Sequence, residues 1–303
     1  MDDILLALRA LPVEFKALIL GVVEGLTEFL PVSSTGHLII VGAFLGFDDE
    51  RAKVFDIAIQ TGAVSSILWL YRKRFAAALG PALSPHVWWT FFQSEQHRAG
   101  LSAAERFLPN LFLAFLPAAF LGLLFGGLIK AQLFNPIWVA FALVLGGFII
   151  LWVERAQARA PEKIRIASVD DVGPMDALKI GFAQAFALIP GTSRSGATII
   201  GGMLFGFSRQ AATEFSFFLA VPTLFAAAAY SVARQWDALH VEDFGLFLIG
   251  TASSFVVALL VVRWLLRFVS THSLNGFAYY RIGFGVLVLI SWQFGWVDWS
   301  SAD

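Results

Sequence analysis

The chain has 303 residues, of which 58% are hydrophobic and only 14% charged, and its mean hydropathy is +0.75. A soluble domain carries about 45–50% apolar and about 25% charged residues, so part of this surface must meet a bilayer rather than water. Twenty-one Lys and Arg against 22 Asp and Glu give a net charge of -1, which excludes a basic field for nucleic acid; zero cysteines exclude disulfides, thiolate nucleophiles and cysteine-ligated metals.

The start, Met1-Asp2-Asp3, lacks the basic region of a signal peptide, so insertion is expected from internal helices. The first feature in the chain is an apolar segment, residues 21–47, broken at its centre by Pro, Ser, Thr and Gly. Spanning helices of about 20 apolar residues are then expected at 54–71, 107–129 and 136–153. The connection 72–106, with Trp88, Trp89, Phe91 and Phe92, is expected on the membrane surface. A second broken segment occupies 181–207, and three more spans are expected at 211–233, 244–262 and 277–296. Glycines such as Gly122, Gly126, Gly127, Gly146 and Gly147 suit close helix approach. Trp69, Trp138, Trp152, Trp292, Trp296 and Trp299 suit interfacial belts. The fold class is therefore an all-α polytopic membrane protein: one integral domain over 1–303, with six spans and two re-entrant broken segments.

The two broken segments align without a gap when shifted by 160 positions. Identities include Ala17/Ala177, Gly21/Gly181, Ser33/Ser193, Gly36/Gly196, Gly42/Gly202, Gly46/Gly206 and Phe47/Phe207. This reads as an internal repeat, about 17–71 and 177–231. Three spans separate the copies, and an odd number of crossings turns the second upside down, the plan in which broken helices line a polar cavity. Loop charge sets the orientation. Arg72, Lys73, Arg74, Arg98, Arg106, Arg155, Arg159, Lys163, Arg165, Arg263, Arg267 and Arg281 fall on one side, against Arg51, Lys53, Lys130 and Arg234 on the other. The first group is expected in the cytoplasm.

The first break reads Glu24-Gly-Leu-Thr-Glu28-Phe-Leu-Pro-Val-Ser33-Ser34-Thr35-Gly36-His37. Glu24 and Glu28 share a helix face. Two buried like charges make sense around a cation, or if one holds a proton, and oxygen ligands without cysteine favour Mg or Ca. The bland alternative is a pair of glutamates facing water. The second break reads Pro190-Gly191-Thr192-Ser193-Arg194-Ser195-Gly196-Ala197-Thr198. Its small residues, hydroxyls and the start of a helix suit an anion, and Arg194 adds a forked donor for phosphate oxygens. A structural Arg194–Glu28 ion pair is the competing reading. His37 can exchange a proton near neutral pH or attack phosphorus itself. The other histidines, His86, His97, His240 and His272, read as solvated, and Asp56, Gln60 and Glu214 as supporting residues.

These two motifs closely resemble those of the undecaprenyl-diphosphate phosphatase family of bacteria, the bacitracin-resistance type: Glu24–His37 matches its first signature and Pro190–Thr198 its second. Leu133-Phe-Asn-Pro136 and Glu214-Phe-Ser-Phe217 extend the likeness. The resemblance implies hydrolysis of undecaprenyl diphosphate to undecaprenyl phosphate, which recycles the lipid carrier of cell-wall synthesis. It also implies a divalent cation, Mg or Ca, and a site on the outer face of the bacterial cytoplasmic (inner) membrane. By position, Glu24 and Glu28 become the acidic, metal-binding pair, and His37 the acid/base or nucleophile. Arg194 becomes the diphosphate anchor, and Ser34 a nucleophile or phosphate ligand. Ser33, Thr35, Gly191, Thr192, Ser193, Ser195 and Thr198 complete the expected diphosphate cradle. The attacking group stays open between Ser34, His37 and water, and the oligomeric state stays open, homodimer included.

The rival from another class is an isoprenoid lipid-phosphate flippase or transporter, since inverted repeats with broken helices also build transporters. An acid-phosphatase type of lipid phosphatase needs a second histidine with an aspartate after its Ser-Arg element, and none follows Arg194.

Overall fold

The computed structural model describes residues 2–47, 50–234 and 243–296. Trp299 and His240 lie outside the described residues, as do the side chains of Arg51, Lys53 and Lys130. Proline decides where the first broken segment stops being helical. Pro31 lacks a backbone donor and disfavours helical geometry in the residue before it. Helix α2 (Val13–Thr27), which follows the short α1 (Asp2–Arg9), accordingly ends ahead of it, and α3 resumes at Ser34–Leu45. In the second segment the helix of Pro174–Ala185 gives way to a 3₁₀ turn at Phe186–Leu188 before Pro190, and a new helix runs over Arg194–Leu204.

The same element order recurs at the 160-residue shift. Helix α3 begins at Ser34 and its counterpart at Arg194, 160 positions on. Both end on a left-handed glycine, Gly46 at φ 60° and Gly206 at φ 89°. In each, the following phenylalanine donates its amide back to a glycine carbonyl, Phe47 to Gly42 at 2.9 Å and Phe207 to Gly202 at 3.0 Å. Only glycine takes this backbone turn without a side-chain clash, which explains the aligned glycines. Each break also holds one serine at positive φ, Ser33 at 72° and Ser193 at 71°.

Between the two segments run α4 (Glu50–Leu70), α5 (Arg72–Ala82), α6 (Pro85–Gln93), α7 (Glu95–Ala99), α8 (Ala103–Leu133) and α9 (Pro136–Arg159). The second segment supplies α10 (Pro174–Ala185) and α11 (Arg194–Leu204). Helices α12 (Arg209–Arg234), α13 (Phe244–Thr271) and α14 (Asn275–Gln293) follow. No strand forms among the described residues; there is one isolated bridge, Ile166 to Phe207.

Among the described residues, four helices are long and apolar enough to cross a membrane: Ala103–Ile129 of α8, α9, α12 and α13. A fifth candidate is the pair formed by α4 and α5, bent by 84°. The expected span at 277–296 forms α14, a helix that does not reach this measure; its apolar run is interrupted by Arg281 near the start. The connection 72–106 is helical, with Val87 and Phe91 of α6 turned inward and Trp89 and Phe92 exposed.

Close packing exchanges partners between the two halves. Helix α13 lies on α2 and α4, while α8 lies on α10. At the equivalent glycines a Cβ would collide with a neighbouring backbone carbonyl, that of Gly250 at Gly21 and that of Ala114 at Gly181. Such small-residue contacts let helices approach where lipid offers no hydrophobic drive. Helices α9 and α14 pair at Gly147, where a Cβ would meet the Ala278 carbonyl at 2.8 Å. Gly126 and Gly127 do not share this role, because a Cβ at either would meet nothing within 4 Å. The main core gathers Phe29 of the first break with Phe207, Phe215, Phe217 and Phe218 of the second half.

Candidate active site

Glu24 lies on the last turn of α2 and Glu28 caps its C-terminus, and both are buried. Their fates differ. Glu28 accepts the Ser34 hydroxyl on Oε2 at 2.7 Å and the Arg194 guanidinium on Oε1 at 3.1 Å. Glu24 has no hydrogen-bond partner on either carboxylate oxygen, and its anionic neighbours are Glu28 and Asp56. Glutamates facing open water are therefore excluded. The Glu28 charge is balanced by Arg194, and that of Glu24 is not balanced by any direct partner.

Arg194 opens α11, one residue after the strained Ser193. Besides Glu28 it donates through Nη1 to the Ser216 carbonyl at 2.9 Å, while its Nε is buried without a partner. The ion pair expected as the alternative role for Arg194 is thus present, and it joins the two breaks. The hydroxyls around Arg194 divide into two groups. Ser195 and Thr198 are fully buried; Ser195 donates to the Leu30 carbonyl at 2.8 Å, and Thr198 bonds the Arg194 carbonyl and the Ser216 hydroxyl. Ser193 accepts from the Gly196 amide at 3.1 Å, which caps α11. These three hydroxyls are committed to holding the turn. Thr35 and Thr192 are partly exposed, and their hydroxyls make no hydrogen bond among the described residues.

His37 sits three residues after Ser34 but does not bond it. Its Nδ1 faces the Ser33 carbonyl at 2.7 Å and its Nε2 the Tyr280 hydroxyl at 2.5 Å. The imidazole stacks on Phe284, with ring centroids 4.0 Å apart. Of the other histidines, His86, His97 and His272 are exposed, as expected.

Arg281 corrects a reading of the sequence. Counted there as a loop charge, it is instead buried at 1% exposure and donates to five backbone carbonyls. These belong to Pro31 of the first break, to Gly191 and Thr192 of the second, and to Ala142 and Leu143 of α9, at 3.0 to 3.3 Å. Its guanidinium lies on Gly146, where a Cβ would collide with it. Both irregular turns therefore find part of their hydrogen bonding inside the protein, as buried backbone must. Tyr280, Arg281 and Phe284 make α14 a third wall of the site, and Ser216 adds α12; none was assigned to the site from sequence. An arginine inside an apolar run was the signal available for Arg281.

Two proline-broken helices meeting on a buried acid–hydroxyl–guanidinium chain mark a multi-pass helical membrane protein with a buried polar centre. The chain belongs to the family described as bacitracin resistance protein BacA, whose model matches residues 17–287. It is similar to the undecaprenyl-diphosphatase of Dechloromonas aromatica (strain RCB), 54% identical over 301 residues that cover 99% of this chain and all of that protein. It is also similar to the undecaprenyl-diphosphatase of Herminiimonas arsenicoxydans, 53% identical with 94% and 97% of the two chains covered. Undecaprenyl-diphosphatase 1 of Burkholderia cenocepacia is 52% identical, with 94% and 98% covered.

Proposed function

We infer that this protein is an integral membrane phosphatase that hydrolyses undecaprenyl diphosphate to undecaprenyl phosphate and phosphate, recycling the cell-wall lipid carrier. The observation that carries the reading is the chain Ser34–Glu28–Arg194, which sets a hydroxyl, a proton acceptor and a phosphate-binding cation side by side across two breaks. Family membership and the names of the relatives agree with it.

In this reading Arg194 binds the diphosphate through donors released from Glu28 or still unpartnered, as at Nε. The free hydroxyls of Thr35 and Thr192 assist. Ser34 Oγ forms a bond to the terminal phosphorus while its proton passes to Glu28. The bond from phosphorus to the bridging oxygen breaks, and undecaprenyl phosphate leaves. Water then attacks phospho-Ser34 and releases phosphate; Glu28 returns its proton to the serine and His37 takes the proton of the water. Catalysis of this kind is mainly positioning and charge stabilisation.

Glu24, with Glu28 beside it, is the fitting place for a divalent cation. Its two unpartnered buried oxygens support this. No preformed group of three acidic or histidine ligands occurs among the described residues, which suits Mg, commonly held by one or two carboxylates plus substrate phosphates. When bound, such a cation supplies neutralising charge to the diphosphate.

The finer architecture belongs to the same reading: six crossings, two re-entrant segments related by an inverted repeat, and a site open to the outer face of the inner membrane. The matching element order at a 160-residue shift and the loop charges support it. The flippase alternative rests on the repeat alone. Rapid-quench analysis of purified protein turning over undecaprenyl diphosphate tests the chemistry. An acid-stable phosphoserine, lost in Ser34→Ala, is expected. An acid-labile phosphohistidine would transfer the attack to His37, and no phosphate release from folded protein with any cation would overturn the phosphatase reading.

A further inference from the structure

His37 is held by two partners that together settle its chemistry. A backbone carbonyl can only accept, so the Nδ1 that faces Ser33 at 2.7 Å carries the ring proton when the imidazole is neutral. Nε2 is then the lone-pair nitrogen, and the Tyr280 hydroxyl donates to it at 2.5 Å. The rings reinforce this arrangement. His37 is parallel to Phe284 within 8° and to Tyr280 within 5°, so neither ring can turn without leaving its stack. Tyr280 and Phe284 are one turn apart on α14, and Arg281 beside them ties that turn to the carbonyls of both breaks.

We propose that Tyr280 is the proton relay to His37 in the phosphatase reaction: its hydroxyl, which already occupies the single lone pair of Nε2, passes its proton to the ring as the phenol oxygen takes the proton of the attacking water. The proposal rests on the phosphatase reading for its kinetic consequence, but its structural half stands apart from it. Without the tyrosine hydroxyl, Nε2 has no fixed donor. The attacking water then loses its route to the ring, while the Ser33 carbonyl still holds the ring proton on Nδ1. Substrate binding, carried by Arg194 and the hydroxyls of the breaks, is untouched.

The test compares wild type, Tyr280→Phe, His37→Gln and the double variant, all full-length and purified in detergent. Tyr280→Phe keeps the aromatic stack and removes one oxygen. Phosphate release from undecaprenyl diphosphate should show kcat lowered about tenfold, a part of the general acid–base contribution of about 10²–10⁴. KM should stay within about twofold, and the loss should vanish when His37 is already Gln. The second readout is ¹⁵N NMR of histidine-labelled protein, with the His37 signals assigned by their absence in His37→Gln. Wild type and Tyr280→Phe should both show the Nδ1–H tautomer, with the Nε2 signal shifted in Tyr280→Phe by the loss of its donor.

A wild-type kcat in Tyr280→Phe, or the same fractional loss with and without His37, would overturn the proposal. So would an unchanged Nε2 signal in Tyr280→Phe, and this arm decides where His37→Gln has no measurable rate. If wild type itself releases no phosphate, the phosphatase reading fails, and the NMR result still judges the pairing.

Discussion

Glu28 and Arg194 are 166 positions apart and meet at 3.1 Å, both with side chains less than a tenth exposed. The contact closes the gap between the two breaks, and on its other oxygen Glu28 holds Ser34 at 2.7 Å. One carboxylate thus links the proposed nucleophile to the proposed anchor. The buried guanidinium would be costly without this partner, because separating a buried pair leaves a bare charge.

Glu28→Gln keeps the shape but removes the charge that accepts the Ser34 proton and balances Arg194. Phosphate release should fall by about 10²-fold or more, the contribution typical of a positioned acid or base. Arg194→Lys should also lose most activity, since an ammonium cannot reproduce the fork between Glu28 and Ser216. Steady-state assays in detergent, beside a thermal melt to confirm folding, check both. Wild-type rates in either variant would remove this chain from the mechanism.

Chelation should stop the reaction and Mg or Ca should restore it, if Glu24 with its unpartnered oxygens receives the cation. Glu24→Gln weakens the site without changing its size, so it should need a higher cation concentration for half-maximal rate. Titrating Mg into EDTA-treated protein measures this. An unchanged cation requirement in the variant would place the metal elsewhere.

Arg281→Met leaves the carbonyls of Pro31, Gly191 and Thr192 in the two breaks without their donor, while those of Ala142 and Leu143 keep their places in the ladder of α9. Each unsatisfied buried group costs about 1–3 kcal/mol, so this substitution should rank among the most destabilising single changes in the chain. Arg281→Lys should recover part of the loss. Melting temperature followed by intrinsic fluorescence checks the order wild type, Lys, Met; an unaffected melt for Met would mean that water replaces the guanidinium.

The glycines give a prediction of opposite signs. At Gly21 an added methyl collides with the Gly250 carbonyl and Ser253, so Gly21→Ala should destabilise by about 1–3 kcal/mol, as overpacking does. Gly126 lies within α8 with nothing within 4 Å of an added Cβ. Gly126→Ala should therefore stabilise by about 0.5–1 kcal/mol through helix propensity. Parallel melts of the two variants decide whether close approach or mere composition explains glycine in these helices.

Local chemistry made much of the molecule legible from its residues alone. The excess of apolar over charged residues called for helices in a membrane. Pro31 and Pro190 broke two of them, because a ring that lacks a donor acts on its own turn. The glycines at 46 and 206 could be matched because left-handed backbone selects that residue wherever it occurs. Glu24, Glu28, Ser34, His37 and Arg194 stood out because charged and polar residues cluster at the two breaks of otherwise apolar segments. Their partners could not be read in this way. Which oxygen of Glu28 meets Arg194, that Ser195 and Thr198 turn into the packing, and that His37 faces Tyr280 rather than Ser34 all depend on how α3, α11 and α14 pack. The periodicity of any one segment does not specify that packing. Arg281 shows the limit most plainly: from its neighbours alone it could be a loop charge, and only the convergence of two irregular turns, with three carbonyls in need of a donor, makes it the buried brace between them.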